Sequence, residues 1–344
     1  NWENFSLHPS KINAVVLTHA HLDHCGLLPK LVRDGFRGKI YCNSATAEIV
    51  KIVLQDSARI QEEDAEFKRR RHERENRKSK FPPQALYNED DALAVFPLFF
   101  IWNQTGPLSI GEGLEVEFIE VGHILGASSV RITVAQDGEK RSIVFSGDIG
   151  RWDMPILRDP FPIGPADYVV TESTYGDRDH GPQADIANEL ARIVNETCDA
   201  GGNIIIPSFA IERTQELLYF LSQLLKANKI PHLQIFVDSP MAIKVSMVFK
   251  HHPHLFDQDA KELLRTYRAN NITLTRTANQ SKTINHIRGS AIIIAGSGMC
   301  TGGRIKHHLV KNIERPESTI LFVGYQAHNT LGRIILDGEK DVRI

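Results

Sequence analysis

Thr18-His19-Ala20-His21-Leu22-Asp23-His24-Cys25-Gly26 is the stretch on which the reading of this chain turns. Three histidines and one aspartate occupy positions 19 to 24. The run before them, Ala14-Val15-Val16-Leu17, is apolar and reads as a short buried strand. The segment after them, Leu27 to Asp34, reads as a helix closed by Gly35. Four ligand-type side chains therefore lie on a strand-to-helix turn. Imidazole and carboxylate suit zinc, manganese or iron, and a catalytic ion keeps one position open for water. His19 and His21, two apart on an extended turn, can face one ion, while Asp23 and His24 can face a second. Two cations about 3.5–4 Å apart form the clamp that phosphoester hydrolysis uses. A single histidine here would read as a satisfied polar residue, but the His-x-His-x-Asp-His pattern behind a buried strand reads as a metal site.

The rest of the chain is consistent with a globular enzyme. A length of 344 residues suggests two domains, and 42% hydrophobic residues supports sizeable cores. With 40 basic and 42 acidic residues the net charge is -2, so any surface for a polyanion must be local. The four cysteines, Cys25, Cys42, Cys198 and Cys300, show no Cys-x-x-Cys spacing, which predicts free thiols in a reducing, cytoplasmic compartment. No run of 18 apolar residues occurs, so no membrane span is expected, and nothing resembles a signal peptide. The chain opens on Asn1 and closes on Val342-Arg343-Ile344, which reads as an unfinished strand; the expectation is a fragment of a longer protein.

Further along, Lys39 to Cys42 reads as a strand, and Ser44 as the N-cap of a long helix starting near Ala45. That helix is expected to continue to Lys80 before Phe81-Pro82-Pro83 ends it, its acidic half preceding a basic half. An RNA-contacting arm is one reading of the basic half; a solvated helical excursion is the favoured one. Residues 114–121, 129–135 and 141–146 alternate apolar and polar side chains as half-buried strands do, with a turn at Asp137-Gly138. His123 and Asp148 each sit at a strand mouth beside glycine and join the list of metal ligands, Asp148 having two oxygens with which to bridge two cations. Tyr168-Val169-Val170-Thr171 is a further strand, leading to Glu172, whose carboxylate can orient a ligand histidine from behind.

From about Asp177 the pattern changes. Apolar strands at 204–206, 233–237, 291–295 and 319–323 alternate with helical segments, which predicts parallel βαβ units. No Gly-x-Gly-x-x-Gly or phosphate-binding Gly-Lys-Ser/Thr loop accompanies them, so no nucleotide cofactor is indicated. The loops at the carboxyl ends of such strands should face a ligand. They supply Ser208 and Arg213, then Asp238 and Ser239, then Ser297, Gly298, Gly303, Arg304 and His307 as candidate substrate contacts, and a fourth loop spans 324–333. In the third, small residues let backbone N–H groups approach a phosphate and Arg304 adds charge. Tight turns for close packing are the alternative.

The opening motif resembles the signature of the metallo-β-lactamase-fold hydrolases. The later loops are similar to those of its β-CASP branch, nucleases that process RNA or DNA, and most similar to bacterial and archaeal relatives of the pre-mRNA 3′-end cleavage endonuclease. The resemblance implies an α/β chain, an incomplete metallo-β-lactamase αββα sandwich over residues 1–177 with an inserted β-CASP domain of parallel βαβ type over 178–344. It implies two zinc ions, one held by His19, His21 and His123, the other by Asp23 and His24, with Asp148 shared. Asp23, Asp148 and Glu172, the acid of the first β-CASP motif, become the catalytic set. Two further histidine motifs of the family, one a proposed general acid and one a zinc ligand, would lie beyond Ile344; His328 is upstream of them and is not assigned. The implied activity is a two-zinc (endo)ribonuclease on RNA, preferentially single-stranded, with endo- or 5′-exonuclease action open, DNA second and a homodimer left open. The alternatives are a hydrolase of a small ester, thioester or lactam, and a non-catalytic RNA-binding subunit.

Overall fold

In the computed structural model, residues 2–76, 83–177, 185–257, 271–287 and 289–344 are described. They divide into two compact units, Asn1–Ser173 and Thr174–Ile344.

The first unit holds two sheets. Strands β1 (Ala14–Val16), β2 (Lys39–Cys42) and β3 (Phe99–Ile101) pair in parallel in that order. Strands β4 (Leu108–Gly111), β5 (Leu114–Glu120), β6 (Ser128–Gln136) and β7 (Glu139–Phe145) form an antiparallel meander, and β8 (Tyr168–Val170) adds to β7 in parallel. The three segments read as strands are β5, β6 and β7 of the meander, with the Asp137-Gly138 turn between β6 and β7, where both residues have positive φ; burial grades along β6 and β7 rather than alternating. The sheets meet where Ser128 N–H donates to the Thr18 carbonyl at 2.9 Å, which brings the end of β1 to the start of β6.

The segment after the histidine cluster is the expected helix, α2 (Leu28–Arg33), flanked by Leu27 and Asp34; a single helical turn, α1 (Leu22–Cys25), lies within the cluster and carries Asp23 and His24. The long helix α3 spans Ser44–Arg74. Its N-cap is Asn43, not Ser44: the Asn43 backbone is extended and its side chain accepts from Thr46 N–H at 2.9 Å, leaving Ser44 in the first turn. Helix α3 stops at Arg74, short of the expected Lys80, and Asn76 takes a positive φ of 47° just beyond it. The stop expected at Phe81-Pro82 and the basic residues Arg77, Lys78 and Lys80 lie outside the described residues. Ile49, Val50, Val53 and Leu54 of α3 are buried with Phe36 and Ile40, and α4 (Glu89–Val95) packs on α2 and α3.

The second unit is built on one parallel sheet in the order β11-β10-β12-β9-β13. Strands β9 (Ile204–Pro207), β10 (Gln234–Asp238) and β12 (Ala291–Ala295) match the apolar runs, because strands covered on both faces need no alternation. Ile204, Ile205 and Ile206 have no exposed surface, and each such side chain contributes about 1.5–3 kcal/mol by leaving water. Two edge strands depart from expectation. β13 is only Thr319–Ile320, and β11 (Ile272–Leu274) is a short, half-buried segment without a distinct apolar run. Among the described residues no helix is long and apolar enough to cross a membrane.

Candidate metal centre

Three loops of the first unit converge. The first leaves β1 at Thr18. His19 is fully buried there, with Nδ1 3.1 Å from the Thr18 hydroxyl. His21 is the N-cap residue of α1, and its carbonyl accepts from His24 and Cys25 N–H at 3.1 Å each. That single helical turn swings the Asp23 side chain outward, where it is 78% exposed, and brings His24 back over His19, ring centroids 4.1 Å apart. The second loop, Val121 to Ala127, closes on itself through Val121 N–H to the Ala127 carbonyl and carries His123. Asn43 and Thr46 at the start of α3 grip its Gly126 carbonyl, through Asn43 Nδ2 at 2.6 Å and Thr46 Oγ1 at 2.8 Å. The third loop follows β7 and carries Asp148.

Glycines beside two of these ligands are dictated by close approach. At Gly122 (φ +59°) a Cβ would lie 2.3 Å from the Arg158 carbonyl, and at Gly147 (φ +58°) one would lie 2.9 Å from Thr18 Cβ. A side chain at either position would push His123 or Asp148 off the cluster.

One ligand atom from each of His19, His21, His123 and Asp148 lies within 4.8 Å of the other three. His21 Nδ1 is 3.2 Å from His19 Nε2 and 3.1 Å from His123 Nε2. Asp148 Oδ2 is 3.6 Å from His19 Nε2, 3.9 Å from His21 Nδ1 and 3.4 Å from His123 Nε2. Its other oxygen, Oδ1, is 3.3 Å from His24 Nε2, and His24 Nε2 in turn is 3.6 Å from Asp23 Oδ2. Asp23 is thus at the rim, outside the four-residue group.

The electrostatics favour a cation over protons. Burial, and then the imidazoles of His21, His24 and His123, push His19 from its ordinary 6.5 down to about 3. Burial and the His21 imidazole push His123 down to about 4. The Asp148 carboxyl is held far below the usual carboxylate range, first by the adjacent His21 imidazole 3.9 Å away, then against burial by the three other imidazoles. His19 and His123 are therefore neutral imidazoles beside an ionised carboxylate. Donors about 2.0–2.1 Å from a tetrahedral ion stand roughly 3.3 Å from one another. The spacing of His19, His21, His123 and Asp148 fits that arrangement.

Behind the cluster, Glu172 accepts from Ile149 N–H at 2.8 Å, and Glu172 N–H donates to Ser146 Oγ at 3.1 Å. Glu172 thus clamps both sides of the Asp148 loop, and its charge also raises the proton affinity of His123. The Glu172 carboxylate is thus fastened to the backbone beside Asp148 while acting electrostatically on His123. Thr18, Asn43, Thr46 and Ser146 complete this support. Partners such as Gly126 for Asn43, 83 positions away, are distant in sequence, and no local pattern announces them.

In the second unit most of the candidate contacts are engaged within the fold. Asp238 is fully buried and accepts from Arg304 Nη1 at 2.6 Å, Ser281 Oγ at 2.5 Å and His308 Nε2 at 2.7 Å. Arg304 also donates to the Thr275 and Arg276 carbonyls at 3.0 Å each. His308, buried, joins this network, whereas its exposed neighbour His307 does not; Ser281 is a further member that the sequence reading did not single out. Ser208 is buried against Thr214 Oγ1 at 3.1 Å, and Arg213 pairs with Glu216 at 2.7 Å. Ser239 caps the helix Pro240–His251. Ser297 Oγ accepts from Gly302 N–H at 3.3 Å. Gly298 lies against the Phe209 ring and Gly303 against the Gly296 carbonyl, so both small residues meet a packing requirement.

A model described as the beta-lactamase superfamily domain matches residues 3–197, more than half of the chain, and one described as the Beta-Casp domain matches residues 214–335. The chain belongs to the β-CASP branch of the metallo-β-lactamase superfamily. Its fold is the α/β fold of that family, with the parallel sheet of the second unit falling in the β-CASP match. This β-CASP chain is 35% identical over 350 residues to Ribonuclease TTHA0252 of Thermus thermophilus, an alignment covering 100% of the chain and 74% of the relative. It is 29% identical to the RNase J-like protein of Methanocaldococcus jannaschii, covering 96% and 71%. It is 28% identical to transcription termination factor FttA of Methanosarcina mazei, covering 97% of the chain and 50% of that relative, so it spans about half of the FttA length.

Proposed function

We propose that this chain is a metal-dependent ribonuclease that hydrolyses phosphodiester bonds of single-stranded RNA. The observation that carries the proposal is the cluster of His19, His21, His123 and Asp148, with the second Asp148 oxygen turned to His24. The names of two similar proteins, a ribonuclease and an RNase J-like protein, support the substrate class.

In this reading His19, His21 and His123 would hold one zinc ion and His24 with Asp23 a second, with Asp148 as a ligand common to both. The bound ions would supply Lewis acidity and lower the pKa of a water at the scissile phosphate. The chain's own contribution is placement. Burial keeps His19 and His123 deprotonated, so their lone pairs stay available. The clamp of Glu172 on Ile149 N–H holds the Asp148 loop, and the grip of Asn43 and Thr46 on Gly126 holds the His123 loop. Glu172 is a positioning residue on this account. In the net reaction the water oxygen bonds to phosphorus, the bond from phosphorus to one ester oxygen breaks, and that oxygen leaves with a proton.

Asp148→Ala tests the scheme. It should abolish cleavage of a single-stranded RNA and reduce bound zinc by elemental analysis. Cleavage at the parent rate by folded Asp148→Ala protein would refute it.

A further inference from the structure

Helix α3 begins at the candidate metal centre and ends far from it. Thr46 in its first turn grips Gly126, three residues beyond His123. Arg71 lies 25 residues further along α3, about 37 Å at the rise of an α-helix. Beyond Ala65 the helix has no buried residue. Its last seven residues, Lys68 to Arg74, carry five Lys or Arg and one Glu. Just before them Phe67 stands 60% exposed. Arg70, Arg71 and Arg74 follow it at i+3, i+4 and i+7, so three guanidinium groups and one open aromatic ring share a helix face. Arg70 pairs with Glu66 and Arg71 with Glu75, whereas Lys68 and Arg69 have no carboxylate within 4.0 Å among the described residues. An exposed aromatic ring set among cations is the composition that stacks a base and holds the phosphates beside it. A membrane surface would demand a broad apolar face instead, and this turn offers a single ring.

We infer that the basic end of α3 is a second contact for single-stranded RNA, remote from the metal cluster, which makes the enzyme prefer long substrates. The inference rests on the ribonuclease reading. At about 3.4 Å per stacked nucleotide, 37 Å corresponds to roughly 11 nucleotides between the two contacts. A pentanucleotide cannot reach both.

The test compares parent chain with Lys68→Gln/Arg69→Gln/Arg70→Gln/Arg71→Gln, and separately with Phe67→Ala, on a 30-nucleotide and a 5-nucleotide RNA. Glutamine keeps the helix propensity of Lys and Arg and no core residue is touched, so far-UV circular dichroism and zinc content should match the parent. Each single-strand phosphate contact contributes about 0.7 to the slope of log affinity against log salt, or about fivefold at 0.1 M. The fourfold variant should bind the 30-mer about a hundredfold more weakly at 0.1 M salt, with a slope shallower by about 2. Phe67→Ala should weaken 30-mer binding about fivefold or more, and kcat/KM on the pentanucleotide should stay within twofold of parent for both. Unchanged 30-mer affinity and salt slope, with cleavage intact, would overturn the arm and leave the ribonuclease reading standing. So would α3-dependent binding only to vesicles containing anionic lipid. Parent protein that neither binds nor cuts either RNA would overturn both.

Discussion

Replacing Asp238 should separate a structural lock from a substrate contact. The carboxylate is fully buried and receives hydrogen bonds from Arg304, Ser281 and His308. Asp238→Ala leaves the Arg304 charge, one imidazole nitrogen and one hydroxyl without their acceptor. Removing one partner of a buried ion pair costs about 3–5 kcal/mol. For a unit the size of Thr174–Ile344, at roughly 2–4 °C per kcal/mol, the melting midpoint should fall by about 6–20 °C. Asp238→Asn keeps an acceptor but no charge and should lose about half of that, since bonds to charged groups are worth about 1.5–3 kcal/mol. Differential scanning calorimetry gives the shift, and zinc content provides an internal control because the metal cluster belongs to residues 19–148. If Asp238→Ala melts within about 2 °C of the parent while RNA affinity collapses, Asp238 is a substrate contact and the lock is wrong.

Burial alone would raise the Asp238 carboxyl, but hydrogen bonds from His308, Ser281 and Arg304 more than reverse this and hold it below the ordinary 3.8. Its stabilisation is therefore complete above that value and lost as pH falls below it; the urea midpoint should drop as pH falls below 3.8, and Asp238→Asn should flatten the drop. Asn43→Ala removes a helix cap and a bond to Gly126, about 1 kcal/mol each, and should weaken zinc binding about 10–100-fold by competition titration against a chelator, with Thr46→Val acting in the same direction. Burial raises the Cys42 thiol to about 12 and Cys300 to about 11, so neither should react with iodoacetamide at pH 8 until denaturant is added; mass spectrometry of native protein showing rapid modification at either would contradict their placement.

Much of the site was legible because metal chemistry tolerates few residue types. Four candidate ligands lie within six positions, and the other two, His123 and Asp148, stand out as a His and an Asp beside glycine at strand mouths. The strands β9, β10 and β12 were legible as well, since continuous apolar runs are what two-sided burial selects. The cap at Asn43 was misread by one residue because Asn and Ser are both good caps, and only the fold, by placing Gly126 beside Asn43, chooses between them. Arg304 was read as a charge for phosphate; the fold gives it Asp238 and two strand-end carbonyls, partners separated from it by 28 to 66 positions.

Residue type and local spacing alone determined that this chain offers imidazole and carboxylate ligands on a strand-to-helix turn, and that a parallel βαβ region follows. Tertiary structure alone decided that Asp148 turns one oxygen to three histidines and the other to His24, that Asp23 stays at the rim, and that Asp238 is locked inside. The reason is range. Ligand chemistry and strand burial are written in neighbouring residues, whereas the direction of a side chain depends on loops brought together from more than 100 positions apart, as His21 and His123 are.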